Sequence, residues 1–498
     1  MTVQLLPGYG LPMSGDVALA APHPAAVEAG RAAVAAGGNA LDAALAAAAA
    51  LTVVYPHQCS IGGDLTAVVR PAGGGARAVL SLGAAAAAID VDALRAGGAT
   101  AMPERGPSTV TVPGVVAGWA AVAALGARLG WAERLRPAIA LARDGAPVSA
   151  GLARAIRGGR AVIDADPGLS AVFGDAREGT LLTQPALAGS LRELAGDWND
   201  LYTGPLGLRL AAGLRRLGSP LTAADLAAHR AETTDPLTAY AHGAEWAAAP
   251  PPSQGATFLA VLGSDRRLAA AWRARSARDA LLGDPRTGPV DLPGLLLRDA
   301  RPAHPVAPGR RPTGDTVAVT AVGADGTAVS LIQSVFDSFG AGLLEPDTGI
   351  VLHSRGSMFS LDPAHPGRLA PGSRPPHTLC PTVAVAGDTV VALGCQGGLS
   401  QPWILAQVAA DALTAADPAE LVRRPRWIID GGDRPRLVLE PGVPGADGLA
   451  AEAASLGLAV TTTAAPHDRA GHVQLARLRD GVPDAGSDPR ADGIAAVF

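Results

Sequence analysis

The sequence predicts a mixed α and β protein, and three observations carry that reading. Two breaker-free segments, TVAVTAV (316–322) and TAVSLIQSVF (327–336), flank the turn signal GADG (323–326). Two alanine-rich stretches, 24–36 and 39–54, read as helices separated by Gly37 and Gly38. The last third alternates strand, helix and strand, with 403–413 its clearest helix.

Taken in order, 17–22 reads as a short strand ahead of the two helices. Segments 64–71 and 77–82 read as paired strands around a turn at Gly73–Gly75. The stretch 94–113 is loop-rich. Helices are expected at 114–129 and 132–144, the second stopped by Gly145, and 145–235 is mostly helical with Gly and Pro breaks. PPPSQGA (250–256) reads as a Pro-rich turn with Ser253 as a helix N-cap. Residues 275–315, rich in Arg, Pro, Gly and Asp, read as a surface linker.

Composition excludes several functions. The chain has 498 residues, 48% hydrophobic and 17% charged, enough to bury a large core. Net charge is −5 with no basic run, which argues against nucleic acid as a partner. All 40 basic residues are Arg. Without lysine there is no Schiff base, pyridoxal-phosphate anchor, Walker-A loop or Ser-x-x-Lys dyad. Cys59, Cys380 and Cys395 are too few for a disulfide framework and lack C-x-x-C spacing, so they read as buried small residues, with no metal site expected. The apolar run 43–54 is too short to span a bilayer. The opening MTVQLLPGYGLPMSGD lacks a positive n-region, so a soluble, cytoplasmic protein is expected.

Thr316 opens its strand directly after Asp315, in mid-chain. A threonine hydroxyl is a weak nucleophile without a base. Cutting the chain before Thr316 would supply one, because the new α-amino group has a pKa of about 7.7–8.0. A strand-opening threonine alone does not establish such a role. The context is more specific. GDT (314–316), the turn V-x-A-D-G, SLIQS (330–334), FGAG (339–342), PDTGIVL (346–352), RGSMFSLDP (355–363), LAPGSRPPHTLCPT (369–382) and GCQGG (394–398) follow in one collinear series. The opening AAGGNALDAALAAAAALTVVYPHQCSIGGD forms a second, independent block.

Both blocks resemble the γ-glutamyltranspeptidase family of N-terminal-nucleophile (Ntn) hydrolases, and the resemblance is weakest over about 145–300. It implies an α+β fold, a four-layer αββα sandwich of two stacked, mainly antiparallel sheets with helices outside. It implies a precursor cut between Asp315 and Thr316 into a large portion, 1–315, and a small portion, 316–498, forming one composite domain. It leaves room for a homodimer and calls for no cofactor.

The resemblance also implies roles. Thr316 is the nucleophile, Ser334 orients its amine, and Gly397 and Gly398 lie where backbone N–H groups hold an oxyanion. His377 and Thr378 stand where the glutathione-cleaving members carry a Ser pair. Arg355 and Ser357 stand where those members carry polar and acidic residues for the α-amino group. Phe336 replaces a polar position, and LSLGAAAAA (80–88) lacks their α-carboxylate Arg. The acyl-transfer core is thus kept and the γ-glutamyl recognition set is not. Arg355 suits a carboxylate on the acyl group. The pattern is similar to the amidohydrolase and acylase branch, including oxamate-amidohydrolase-like proteins. The expected activity is autoprocessing, then cleavage of a small carboxylate-bearing substrate through an acyl-Thr316 ester. A tailoring hydrolase breaking an activated carbonyl or C–C bond, and an inactive scaffold, are the alternatives.

Overall fold

The computed structural model describes residues 15–299, 315–430 and 435–498. The opening segment 1–14 and most of the stretch before the expected cut, 300–314, lie outside the described residues.

The expected hairpin forms as the residues dictate. Its strands pair antiparallel from Ala328↔Val322 to Gln333↔Val317. The turn closes at Gly326 with φ +79°, a conformation a Cβ would penalise. Both strands are buried almost throughout, so neither alternates apolar with polar.

In chain order the two main sheets use β1 (Val17–Ala21), β2 (Asp64–Arg70), β3 (Arg77–Ser81), β4 (Glu232–Thr234), β5 (Leu237–Ala241), β6 (Ala244–Ala248), β7 (Asp315–Gly323), β8 (Ala328–Phe336), β9 (Thr382–Ala386), β10 (Thr389–Cys395), β11 (Val473–Arg479), β12 (Val482–Ser487) and β13 (Ile494–Val497). One sheet runs β13-β1-β7-β8-β2-β3-β4 and the other β12-β11-β10-β9-β6-β5. All pairings within these two sheets are antiparallel.

The sheets stack through small side chains. Ala18, Val68, Val322 and Ala328 of the first meet Val383, Ala392 and Ala476 of the second. Helices α1 (Pro24–Ala35) and α2 (Ala40–Val54) cover the outer face of the first sheet. Every residue of α2 is buried, which explains its lack of a polar face. Its start is fixed by a capping box: Asn39 accepts from Leu41 and Asp42 N–H, and Asp42 accepts from Asn39 N–H. Such caps contribute about 1 kcal/mol. Helices α3 (Gly255–Leu262) and α4 (Gln401–Ala412) cover the second sheet. The four-layer α+β sandwich implied by the resemblance is the observed architecture.

Local expectations need correction. The stretch 275–299 is not a surface linker: a helix, Arg267–Leu281, runs into it, and Arg275, Arg278 and Asp284 are buried. Arg-rich composition misled because these guanidiniums have interior work; Arg278, for one, donates to Gln254 and to Leu399 O. Ser253 is not the cap of α3. Gln254 holds that position, while the buried Ser253 hydroxyl donates to Leu379 O. The helix expected over 114–129 ends at Ala123, and a short helix, Val91–Ala96, enters the loop-rich stretch. The three cysteines are buried and unpaired, as expected.

Candidate active site

The site forms where the β7–β8 ladder breaks. Gln333 pairs with Val317 and Phe336 with Asp315, so Ser334 and Val335 together oppose Thr316. This bulge frees Val335 from the ladder; its N–H donates to Gln58 O and its carbonyl accepts from Ser354 N–H. Gln333 anchors the bulge from below, accepting from Trp119 Nε1 at 3.0 Å and donating to Ala48 O at 2.8 Å.

The hydroxyls of Thr316 and Ser334 therefore meet. Thr316 Oγ1 donates to Ser334 Oγ at 3.1 Å. Ser334 Oγ donates to the Asp315 carbonyl at 2.7 Å and accepts from Phe336 N–H at 2.8 Å. Both side chains are buried. Asp315 lies near Asp337 and Asp468; desolvation first, and these carboxylates second, push its pKa up to about 7 against the opposing pull of Arg105.

Phe336 sits at φ +80°, which costs a non-glycine residue on the order of 1 kcal/mol or more. The Arg355 guanidinium stacks over its ring, 4.2 Å from the centroid. Such cation–π contacts are worth about 2 kcal/mol when desolvated. Arg355 is fully buried; NH1 donates to Thr378 Oγ1 at 3.0 Å, Nε lies 3.9 Å from Asp64 Oδ2, and Nε and NH2 have no hydrogen-bond partner among the described residues. Burial lowers its pKa to about 10, opposed by Asp64 and Asp337, so it stays charged at neutral pH.

Asp64 opens β2 directly opposite Ser334. Its Oδ1 accepts from Gly83 N–H at 2.8 Å, and its Oδ2 accepts from His377 Nε2 at 2.9 Å, with His353 Nδ1 at 3.3 Å. Burial would raise this carboxyl, but His353 and His377 outweigh it and hold it well below the usual carboxylate range. Gly63 permits the approach: a Cβ there would lie 2.3 Å from Ser334 O. The Ala run after Gly83 brings no Arg to the site; Gly83 instead supplies a backbone donor to Asp64.

Gly397 and Gly398 follow β10, at φ +149° and +51°. Gln254 ties this turn to the His377–Thr378 segment, donating to Thr378 O at 2.5 Å and Gly398 O at 2.9 Å. Ser357, in the short turn Arg355–Met358, is only partly buried, and its hydroxyl makes no hydrogen bond to the cluster among the described residues. Thr316, Ser334, Phe336, Arg355, His377 and Thr378 thus come together. Asp64, His353 and Gln254 are additions that sequence reasoning missed. The available signal was a carboxylate heading the mainly apolar DLTAVVR strand, since a fully buried Asp needs partners.

A four-layer sandwich with this site at the head of a central strand is that of an amide-cleaving hydrolase of the Ntn class. The sequence pattern of the Gamma-glutamyltranspeptidase family matches residues 26–282 and 294–498. The chain belongs to the γ-glutamyltranspeptidase family. It is 38% identical to the Oxamate amidohydrolase proenzyme of Klebsiella pneumoniae, covering 96% of this chain and 98% of that protein. It is 35% identical to the Glutathione hydrolase-like YwrD proenzyme of Bacillus subtilis, covering 82% and 84%. Among solved structures, cephalosporin acylase from Bacillus halodurans superposes with a TM-score of 0.86 at 28% identity, covering 100% and 99%. The protein is an amidohydrolase or acylase of this family. No helix among the described residues is long and apolar enough to cross a membrane.

Proposed function

We propose that the chain cuts itself between Asp315 and Thr316, and that the freed Thr316 then hydrolyses an amide of a small carboxylate-bearing acyl group. In the intact chain Thr316 is buried, so it meets its own scissile carbonyl before any substrate. Attack of Oγ1 on the Asp315 carbonyl carbon forms an ester as the C–N bond breaks. Water then releases the Asp315 carboxylate and leaves a free α-amine. That amine is the base for later turnovers, taking the Thr316 proton as the hydroxyl attacks the substrate amide. Ser334 loses its contact with the Asp315 carbonyl on cleavage and becomes free to orient the amine. N–H groups at the Gly397–Gly398 turn are suited to the oxyanion, a role worth about 3–4 kcal/mol per donor.

The two portions, 1–315 and 316–498, would stay associated. Strand β1 of the first lies between β7 and β13 of the second, and β8 of the second pairs with β2 of the first.

The observation that carries the substrate reading is Arg355: buried, charged, and with neither Nε nor NH2 hydrogen-bonded among the described residues, the Asp64 carboxylate standing 3.9 Å from Nε. A desolvated guanidinium needs an anion, and a carboxylate fits its fork. A γ-glutamyl ammonium would be repelled by this cation, whose charge the Asp64 carboxylate offsets without a hydrogen bond. The test is turnover of oxamate and other short dicarboxylic monoamides against their neutral esters and against γ-glutamyl anilides. The charged amides should be preferred. Robust turnover of γ-glutamyl substrates, at a kcat of about 10 per second, would contradict the reading.

A further inference from the structure

His377 is hydrogen-bonded on one side of its ring and, among the described residues, has no hydrogen bond on the other. Its Nε2 lies 2.9 Å from Asp64 Oδ2. A carboxylate oxygen only accepts, so Nε2 carries the proton and donates. Asp64 is itself fixed by Gly83 N–H and by its place in β2 opposite Ser334. The His377 backbone is pinned too, its N–H donating to Pro252 O at 2.7 Å. Burial, then the Arg355 guanidinium, pulls the imidazole pKa down to about 3, so the ring is neutral at neutral pH. A neutral ring protonated at Nε2 presents a lone pair at Nδ1. That Nδ1 is buried and has no donor among the described residues. Leaving such an acceptor unmet is unfavourable.

This unmet acceptor belongs to the same cluster as the unmet donors of Arg355, since the next residue, Thr378, takes the Arg355 NH1 hydrogen bond. Resting on the reading of Arg355 as the anchor of the acyl carboxylate, we infer that the Asp64–His377 pair reads a second feature of the same fragment: a neutral O–H or N–H donor on the carbon bearing that carboxylate. The substrate class is then a 2-hydroxy or 2-acylamino acid whose far end is the scissile amide. A neutral donor suits the site better than an ammonium, which would face the Arg355 guanidinium. His377 is the specificity residue. Asp64 is a positioning residue that sets which ring nitrogen accepts.

Four 4-nitroanilides test this: the succinyl compound, its analogue with a hydroxyl on the carbon bearing the free carboxylate, and the methyl ester of each. In the native enzyme the hydroxyl should raise kcat/KM of the free acid about tenfold or more, the range of one well-made hydrogen bond. His377→Phe should bring that ratio close to one, while His377→Gln, whose side-chain oxygen can accept, should keep part of it. Asp64→Leu should erode the hydroxyl preference more than it slows the plain succinyl compound. Cleavage at Asp315 reports that each variant has folded, and the His377 pair carries the test if Asp64→Leu does not fold. A hydroxyl ratio near one in the native enzyme, with free acids still preferred over esters, overturns this inference alone. Equal rates on acids and esters, or no turnover of any of the four by a self-cut chain, overturns the Arg355 anchor beneath it.

Discussion

The two ends of the site differ in one respect: one is closed and the other is open. At the proposed nucleophile, Thr316, Ser334, Phe336 N–H and the Asp315 carbonyl satisfy one another within 3.1 Å. At the Asp64–Arg355–His377 end, Asp64 is saturated, yet two nitrogens of Arg355 and one of His377 have no hydrogen bond among the described residues. Strand pairing and one bulge suffice to build the first. The second contains buried polarity that the described chain does not satisfy, and buried polar groups are normally satisfied. Under the proposed function, the difference teaches where to look for each half of it: bond breaking in the ladder defect, selectivity in the unmet atoms.

The largest effect should come from removing the closed end. Thr316→Ala should leave the chain uncut and without activity, read on a denaturing gel and by amide turnover. Thr316→Ser should keep part of both, because the hydroxyl survives. Next is Gly63→Ala, whose Cβ would meet the Ser334 carbonyl at 2.3 Å. The strands must part to accept it, so a loss of about 1–3 kcal/mol in stability should accompany a steep fall in turnover. Gly75→Ala, with nothing within 4 Å of its Cβ, is the control and should leave the melting temperature nearly unchanged. A silent Gly63→Ala would break the claim that close strand approach builds the nucleophile end.

At the open end, Arg355→Ala should lower kcat/KM for carboxylate-bearing amides about ten- to a hundredfold, following the hydrogen-bond energies of charged groups. Arg355→Lys should recover only part, since an ammonium cannot make the fork. Self-cleavage should survive both changes. If the variants treat charged and neutral amides as the parent does, the open end is not a carboxylate site. Ser357→Ala, outside the cluster, should change kcat/KM least.

A smaller effect links pH to the uncut state. The folded pKa of Asp315, about 7, lies above the ordinary value of about 3.9. A raised carboxyl pKa favours the folded form at low pH, and that contribution is lost as pH rises from the unfolded value toward the folded one. The uncut Thr316→Ala chain should therefore lose stability between about pH 4 and 7, seen in denaturant midpoints. Asp315→Asn in that background should flatten the slope. An unchanged slope would remove Asp315 from the account.

Much of this was legible in the residues. The hairpin, the two N-terminal helices and the helix expected over 403–413 are encoded by local signals, and they appear within a few residues of where those signals put them. Motif order singled out Thr316 and Ser334 eighteen positions apart, and their hydroxyls meet at 3.1 Å. Asp64 and His353 were not, because their significance lies in a contact between β2 and segments hundreds of positions later, which no local pattern records. The misread linker at 275–299 has the same cause: whether an Arg is solvated or buried against Gln254 depends on the fold, not on composition.

The central claim is that Thr316 is a nucleophile exposed by cutting the chain. N-terminal sequencing and intact-mass analysis of the purified, active protein test it most directly. The expected result is two fragments that separate only on denaturation, one ending at Asp315 and the other beginning TVAVTAVG at Thr316. A fully active protein that remains a single unbroken chain would contradict it.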